Sequence, residues 1–188
     1  MLVNSSTLYQ TALAELGSVF NRLDDSSVDQ AVEAIAAARS TVVFGGGRER
    51  LQIMGFAMRL YHMGVPVAVE GDMTTPPVGP GDLFLVTVGP GEISTALALI
   101  GVAKASGARV LVITAQPHGR APRLADQVLH LPAQTMADDQ GAARSSVLPM
   151  GSLYEGALFV LFEVMILKLT KRLGVTPDAM RARHTNLE

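Results

Sequence analysis

Two glycine-rich runs and one carboxylate carry the chemistry open to this sequence. Gly45-Gly46-Gly47-Arg48 and Gly89-Pro90-Gly91-Glu92 each leave a short aliphatic run and lead into a helical pattern. Glycines let backbone N–H groups approach a ligand, and the N-terminus of the following helix favours an anion. Arg48 adds a forked donor. Ser94 and Thr95 follow the second run, and Thr74-Thr75 lie between the two, so hydroxyls are at hand for an oxygen-rich ligand. The same residues also have bland uses. The glycines serve as tight strand-to-helix turns, Glu92 complements a helix dipole, and Thr74-Thr75 form a loop before two prolines. A dinucleotide site is disfavoured, because position 50 is Arg and the first run is not G-x-G-x-x-G.

Glu155 stands at the start of the most apolar helical stretch. A carboxylate there is costly unless it is partnered or functional. Burial raises a carboxyl pKa and suits it to general acid–base work. A first-turn Glu stabilised by the helix dipole is the competing reading. Glu163, in the middle of the same stretch, reads as paired with a cation. His62 follows Arg59 by three residues on a helical pattern, so the two share a face. It is a candidate for catalysis or a satisfied core or interface histidine. His118 and His130 have no partners at metal-ligand spacing, so no metal site is expected.

The elements that must position these residues alternate in type. Helical spacing covers about 7–22 through Leu8, Leu13, Leu16 and Phe20, and about 28–38 through Val28, Val32, Ile35 and Ala36. Strands are expected at 41–44, 65–69, 82–87, 109–114 and 127–131. Helices are expected at 49–63, carried by Leu51, Met54, Met58 and Tyr61, at 92–105, at 121–125 and at 152–173. Pro177 opens a short last one. The fold class is α/β: a three-layer, doubly wound, five-stranded parallel sheet of order 2-1-3-4-5. N-terminal helices (1–39) precede a core (40–188) within one domain. Strands 1 and 3 flank the topological switch point, where ligands bind beyond the strands' carboxyl ends. The two glycine runs leave those two strands.

Composition narrows the classes. Of 188 residues 48% are hydrophobic and 17% charged, which excludes a disordered chain. Fifteen Lys+Arg against seventeen Asp+Glu leave no basic surplus, so nucleic acid is not an expected partner. Zero Cys excludes disulfides and thiolate chemistry, and fits a reducing cytoplasm. The first residues show no basic region followed by an apolar block. The apolar stretch 156–167 is too short for the roughly 20 residues of a membrane span.

With these segments placed, the chain resembles the SIS (sugar isomerase) domain family, and within it the 6-phospho-3-hexuloisomerases. The resemblance is carried by GGGR at 45–48, GFAMRLYHMGVPVAVEGDMTTPPVGPGDLFLV at 55–86 and GPGEIST at 89–95. It continues in GARVLVITAQPHGRAPRLADQVLHLPA at 107–133, LPMGSLYEGALFVLFE at 148–163 and RHTNLE at 183–188. It implies a cytoplasmic, metal-free and cofactor-free homotetramer that interconverts a 3-hexulose 6-phosphate and fructose 6-phosphate. By resemblance Glu155 is the base, and His62 reaches a neighbouring subunit's site. Gly45, Gly47, Arg48, Thr74, Thr75, Gly89, Gly91, Glu92 and Thr95 hold the substrate. The chain departs from the family where hydroxyls are typical: Glu49, Val88, Pro90 and Ile93 stand instead. Glu49 is expected to bring a carboxylate to the mouth of the site unless it turns away or pairs with Arg48 or Arg50. The departures keep two other readings open: an isomerase of another or unphosphorylated sugar, and a non-catalytic sugar-binding regulator.

Overall fold

The structure, a computed structural model, describes residues 5–187. Residues 1–4 and 188 lie outside the described residues, and with them most of the N-terminal segment read above and the last residue of the RHTNLE ending. The elements run α1 (Ser5–Asn21), α2 (Asp25–Ala37), β1 (Thr41–Gly45), α3 (Gly47–Met63), β2 (Val67–Val69), β3 (Leu83–Thr87) and α4 (Ser94–Ala105). They continue β4 (Arg109–Thr114), α5 (Arg120–Leu124), β5 (Gln127–His130), α6 (Ser152–Leu173) and α7 (Pro177–Arg181). All strand pairs are parallel, in the order β2-β1-β3-β4-β5. This is the expected doubly wound sheet with its switch point between β1 and β3.

Strand residues alternate between two cores, as the period of two requires. Val43, Leu85, Leu111 and Ile113 pack with α2, α3 and α6 on one face. Val42, Phe44, Phe84, Val86, Val110 and Val112 pack with α4 and α5 on the other. A strand covered on both faces reads as a continuous aliphatic run. Phe56 of α3 stacks on Phe162 of α6, with ring centroids 4.5 Å apart, and fixes these two helices against each other.

Boundaries near the site differ from expectation. Helix α3 begins at Gly47, two residues early, because glycines open it and hydrophobic periodicity is blind to them. Gly47 takes φ +54, a conformation glycine adopts without strain. Helix α4 begins at Ser94, so Glu92 lies in the preceding turn rather than in the helix. The stripe Leu51, Met54, Met58 and Tyr61 is exposed; α3 buries Glu49, Ile53, Phe56, Ala57 and Leu60 instead.

Candidate active site

Register puts the two glycine runs side by side. Gly45 pairs with Thr87, and Thr87 with Ile113, so β1 and β3 end level and β4 runs one residue further. Arg48 leaves the end of β1 and reaches the start of α6. Its Nη1 donates to Ser152 Oγ at 3.1 Å, and its Nε stands 3.0 Å from Glu155 Oε2 as an ion pair. That contact lacks the alignment of a hydrogen bond, so Glu155 Oε2 is buried with no hydrogen-bond partner. The Glu155 side chain is 13% exposed. A carboxylate held by one cation, with an unbonded oxygen, is able to take a proton.

Beneath this pair lies a buried polar cluster. Glu49 is 7% exposed and Tyr154 1%. Thr87 Oγ1 stands 2.6 Å from Glu49 Oε2 and 3.1 Å from Tyr154 Oη. Tyr154 Oη donates to Ile113 O at 3.0 Å. The Gly89 N–H donates to the Glu49 carboxyl, at 3.0 Å from Oε1. Burial pushes the Glu49 carboxyl up to about 7, against the lowering effect of its bonds from Thr87 and Gly89, and Glu155 pushes it further up. Burial, with Glu49 adding, holds the Tyr154 phenol well above its ordinary value. Glu49 therefore does not stand at the mouth, and pairs with neither arginine. It turns inward onto the two groups that the end of β3 offers it. Arg50 faces Glu70 and Asp72, at 3.9 and 4.0 Å.

The glycines here are fixed by close approach. A Cβ on Gly89 would sit 2.9 Å from the Tyr154 ring and 3.0 Å from Glu49 Oε1. On Gly91, at φ +79, it would meet Gln116 at 2.7 Å. Pro90, between them, has no N–H to offer a ligand.

The remaining candidates divide. Glu92 pairs with Arg120 at 2.7 Å rather than with the α4 dipole. Ser94 and Thr95 are exposed in the first turn of α4, whose Ile93 cap makes no side-chain bond. Thr75 Oγ1 is bonded to the carbonyls of Val69 and Asp72, which makes it a loop brace. Thr74 borders a cleft of about 860 Å³ along β2, among Met54, Met58 and Tyr61; none of Gly45, Arg48, Gly89 and Glu155 lines it. His62 is buried at the far end of α3, its ring 5.2 Å from that of His184. Fourteen residues separate it from Arg48, about 21 Å at 1.5 Å per residue, so within one chain it does not join Glu155. Arg59, three residues before it, lies 3.6 Å from Glu163 on α6. The last contact gives Glu163 its expected cation.

Three residues of the cluster escaped the sequence reading: Thr87, Ser152 and Tyr154. Thr87 gave a faint signal, as a hydroxyl ending an aliphatic strand, a feature it shares with Thr114 of β4. Tyr154 precedes Glu155 at the opening of an apolar helix, where an aromatic hydroxyl needs a buried partner.

The SIS domain pattern matches residues 34–160 of this chain, which span the sheet and reach into α6. The chain belongs to the SIS domain family. It is 33% identical over 179 residues to the 3-hexulose-6-phosphate isomerase of Methylomonas aminofaciens, covering 95% of this chain and 97% of that one. It is 31% identical over 176 residues to the Bacillus subtilis protein of the same name, covering 94% and 95%. A solved structure from Methanococcus jannaschii, for which that isomerase function was inferred, superposes with TM-score 0.81 at 24% identity over 99% of this chain and 100% of that one. The last likeness concerns fold alone.

Proposed function

We propose that this SIS-domain protein is a sugar-phosphate isomerase that interconverts a 3-hexulose 6-phosphate and fructose 6-phosphate through an enediol. The observation that carries the reading is Glu155 at the switch point, its Oε2 buried, unbonded and held by Arg48. The relatives of that name, aligned over nearly their whole length, supply the substrate.

In the forward direction Glu155 takes the proton from C2 of the 3-hexulose, beside the C3 carbonyl. The electron pair forms the C2–C3 double bond of the enediol. Glu155 returns the proton to C3 as the carbonyl forms at C2, and the hydroxyl proton moves from O2 to O3. Arg48 keeps the carboxylate aimed, and Ser152 keeps Arg48 in place. The turns at Gly45, Gly47, Gly89 and Gly91, with Thr95 at the start of α4, form the wall on which the sugar phosphate rests. His62 serves only from a neighbouring subunit, and Thr75 only as a brace. No metal or cofactor enters these steps.

The reading includes a homotetramer in the cytoplasm. Leu51, Met58 and Tyr61 of α3, Phe159 and Leu167 of α6, and Tyr9 and Leu13 of α1 are exposed apolar side chains. Exposed faces of this kind are covered by association. A second reading, an isomerase of another or unphosphorylated sugar, is favoured by Glu49 occupying the Gly89 N–H and by the missing donor of Pro90.

A thermal-shift comparison of fructose 6-phosphate with fructose separates the two readings. A ligand at 100 times its Kd stabilises by about 2.7 kcal/mol, roughly 5–10 °C for a domain of this size. That shift with the phosphate and none with fructose supports the first reading, and the reverse pattern supports the second.

A further inference from the structure

With Glu49 ionised, the three contacts Glu49–Thr87, Thr87–Tyr154 and Tyr154–Ile113 O have only two hydroxyl protons to fill them. A backbone carbonyl only accepts, so the single proton of Tyr154 goes to Ile113 O. An ionised Glu49 draws the single proton of Thr87, at 2.6 Å. The Thr87–Tyr154 contact, 3.1 Å between two buried oxygens, is then left with no proton between them. A protonated Glu49 resolves the deficit. Its O–H donates to Thr87, Thr87 donates to Tyr154, and Tyr154 donates to Ile113. The other carboxyl oxygen still accepts the Gly89 N–H. Each contact then holds one proton, as buried polar groups require.

Among the described residues, none adds a cation to hold a charge on Glu49. From α6 it faces Tyr154 and Glu155. Strands β1, β2 and β3 contain no ionisable residue. On its own helix Arg48 is committed to Glu155, and Arg50 faces Glu70 and Asp72. Arg183, beyond α7, reaches the far end of α3 at the His62 carbonyl.

We propose that Glu49 carries a proton in the resting site, and that its ionisation, which places a charge beneath Gly89, weakens the hold of this site on an anionic sugar. The proton clause stands on geometry alone; the ligand clause rests on the function proposed above. Burial, first, and then Glu155 lift this carboxyl to about 7, against its bonds from Thr87 and Gly89. The change therefore falls near neutral pH. Glu49 is a tuning residue and touches no reacting atom.

Glu49→Gln is the matched variant, because an amide donates to Thr87 and accepts from Gly89 as the acid does. Infrared difference spectra of the intact protein test the proton clause. A protonated-carboxyl band absent from Glu49→Gln, and from Glu49→Ser as a second reference, should bleach as pH rises through neutrality. Calorimetric titration with fructose 6-phosphate tests the ligand clause. Above neutral pH the ratio of wild-type to Glu49→Gln Kd should grow by up to about tenfold per pH unit, and the ratio cancels the ionisation of the phosphate itself. No such band at about pH 6 overturns the proposal even if fructose 6-phosphate is converted, and leaves the functional reading standing. A pH-independent Kd ratio overturns the ligand clause. A bleaching band with no sugar phosphate binding to either protein overturns both that clause and the functional reading.

Discussion

Glu155 and Glu49 are two carboxyls of one site, set apart by their partners. Glu155 has an arginine and a free oxygen; Glu49 has a threonine, a glycine N–H and burial. Environments that differ in this way assign different roles to chemically identical groups. Glu155→Gln keeps the shape and removes the base, so turnover should fall about 10²–10⁴-fold, with ligand binding largely kept. Unchanged turnover would reduce Glu155 to a partner of the α6 dipole. Glu49 also marks stability. Its folded pKa is raised, from 4.5 to about 7, so between those values the folded state binds more protons than the unfolded one. Stability should fall as pH rises through that window, by roughly 3 kcal/mol at most. Glu49→Gln should be more stable than wild type above neutral pH. Urea midpoints measured on both proteins across the window check the sign, and parallel curves would contradict it. Gly89→Ala forces a Cβ against the fully buried Tyr154 ring, which has no room to retreat. It should cost about 1–3 kcal/mol, read as a lower melting temperature.

At the scale of elements, the entry to β3 is clamped by Asp82. Arg39 donates to it through Nε and Nη2, Ser40 through its hydroxyl, and Gly79 through its backbone. These bonds, led by Arg39, hold the carboxyl well below the usual carboxylate range. Asp82→Asn should cost about 1–3 kcal/mol near neutral pH. With a lowered folded pKa, the contribution is present above about 4 and lost below it, so the gap between variant and wild type should close in acid. Denaturation near neutral pH and again in acid tests this. The sheet was legible because doubly covered strands write near-continuous aliphatic runs, as 41–44 and 109–114 do. The switch point followed from strand order, and Glu155 from a charge at the start of an apolar helix. Helix starts at Gly47 and Ser94 were not legible, because caps and glycines leave no periodic trace. The inward turn of Glu49 was hidden for another reason. Only the register of Gly45 on Thr87 shows that a hydroxyl and a free N–H wait within its reach. The exposed stripe on α3 misled because apolar periodicity marks a buried face without saying which molecule buries it.

At the scale of the whole molecule, that stripe bears on assembly. Leu51 is 65% exposed and Phe159 59%. Among the described residues no helix is long and apolar enough to cross a membrane, so a bilayer-spanning helix does not account for these side chains. Four copies of a 19.8 kDa chain make about 79 kDa, and light scattering should find that mass at micromolar concentration; a stable monomer would contradict the tetramer. Replacing Leu51 and Phe159 with Lys should shift the particle to smaller species. If Glu155 moves a proton between adjacent sugar carbons, NMR of fructose 6-phosphate incubated with the protein in D₂O will show it. The C3 proton signal should be lost through exchange with solvent as the 3-hexulose 6-phosphate appears, and Glu155→Gln should give neither. Saturated binding of fructose 6-phosphate with its C3 proton untouched would contradict it.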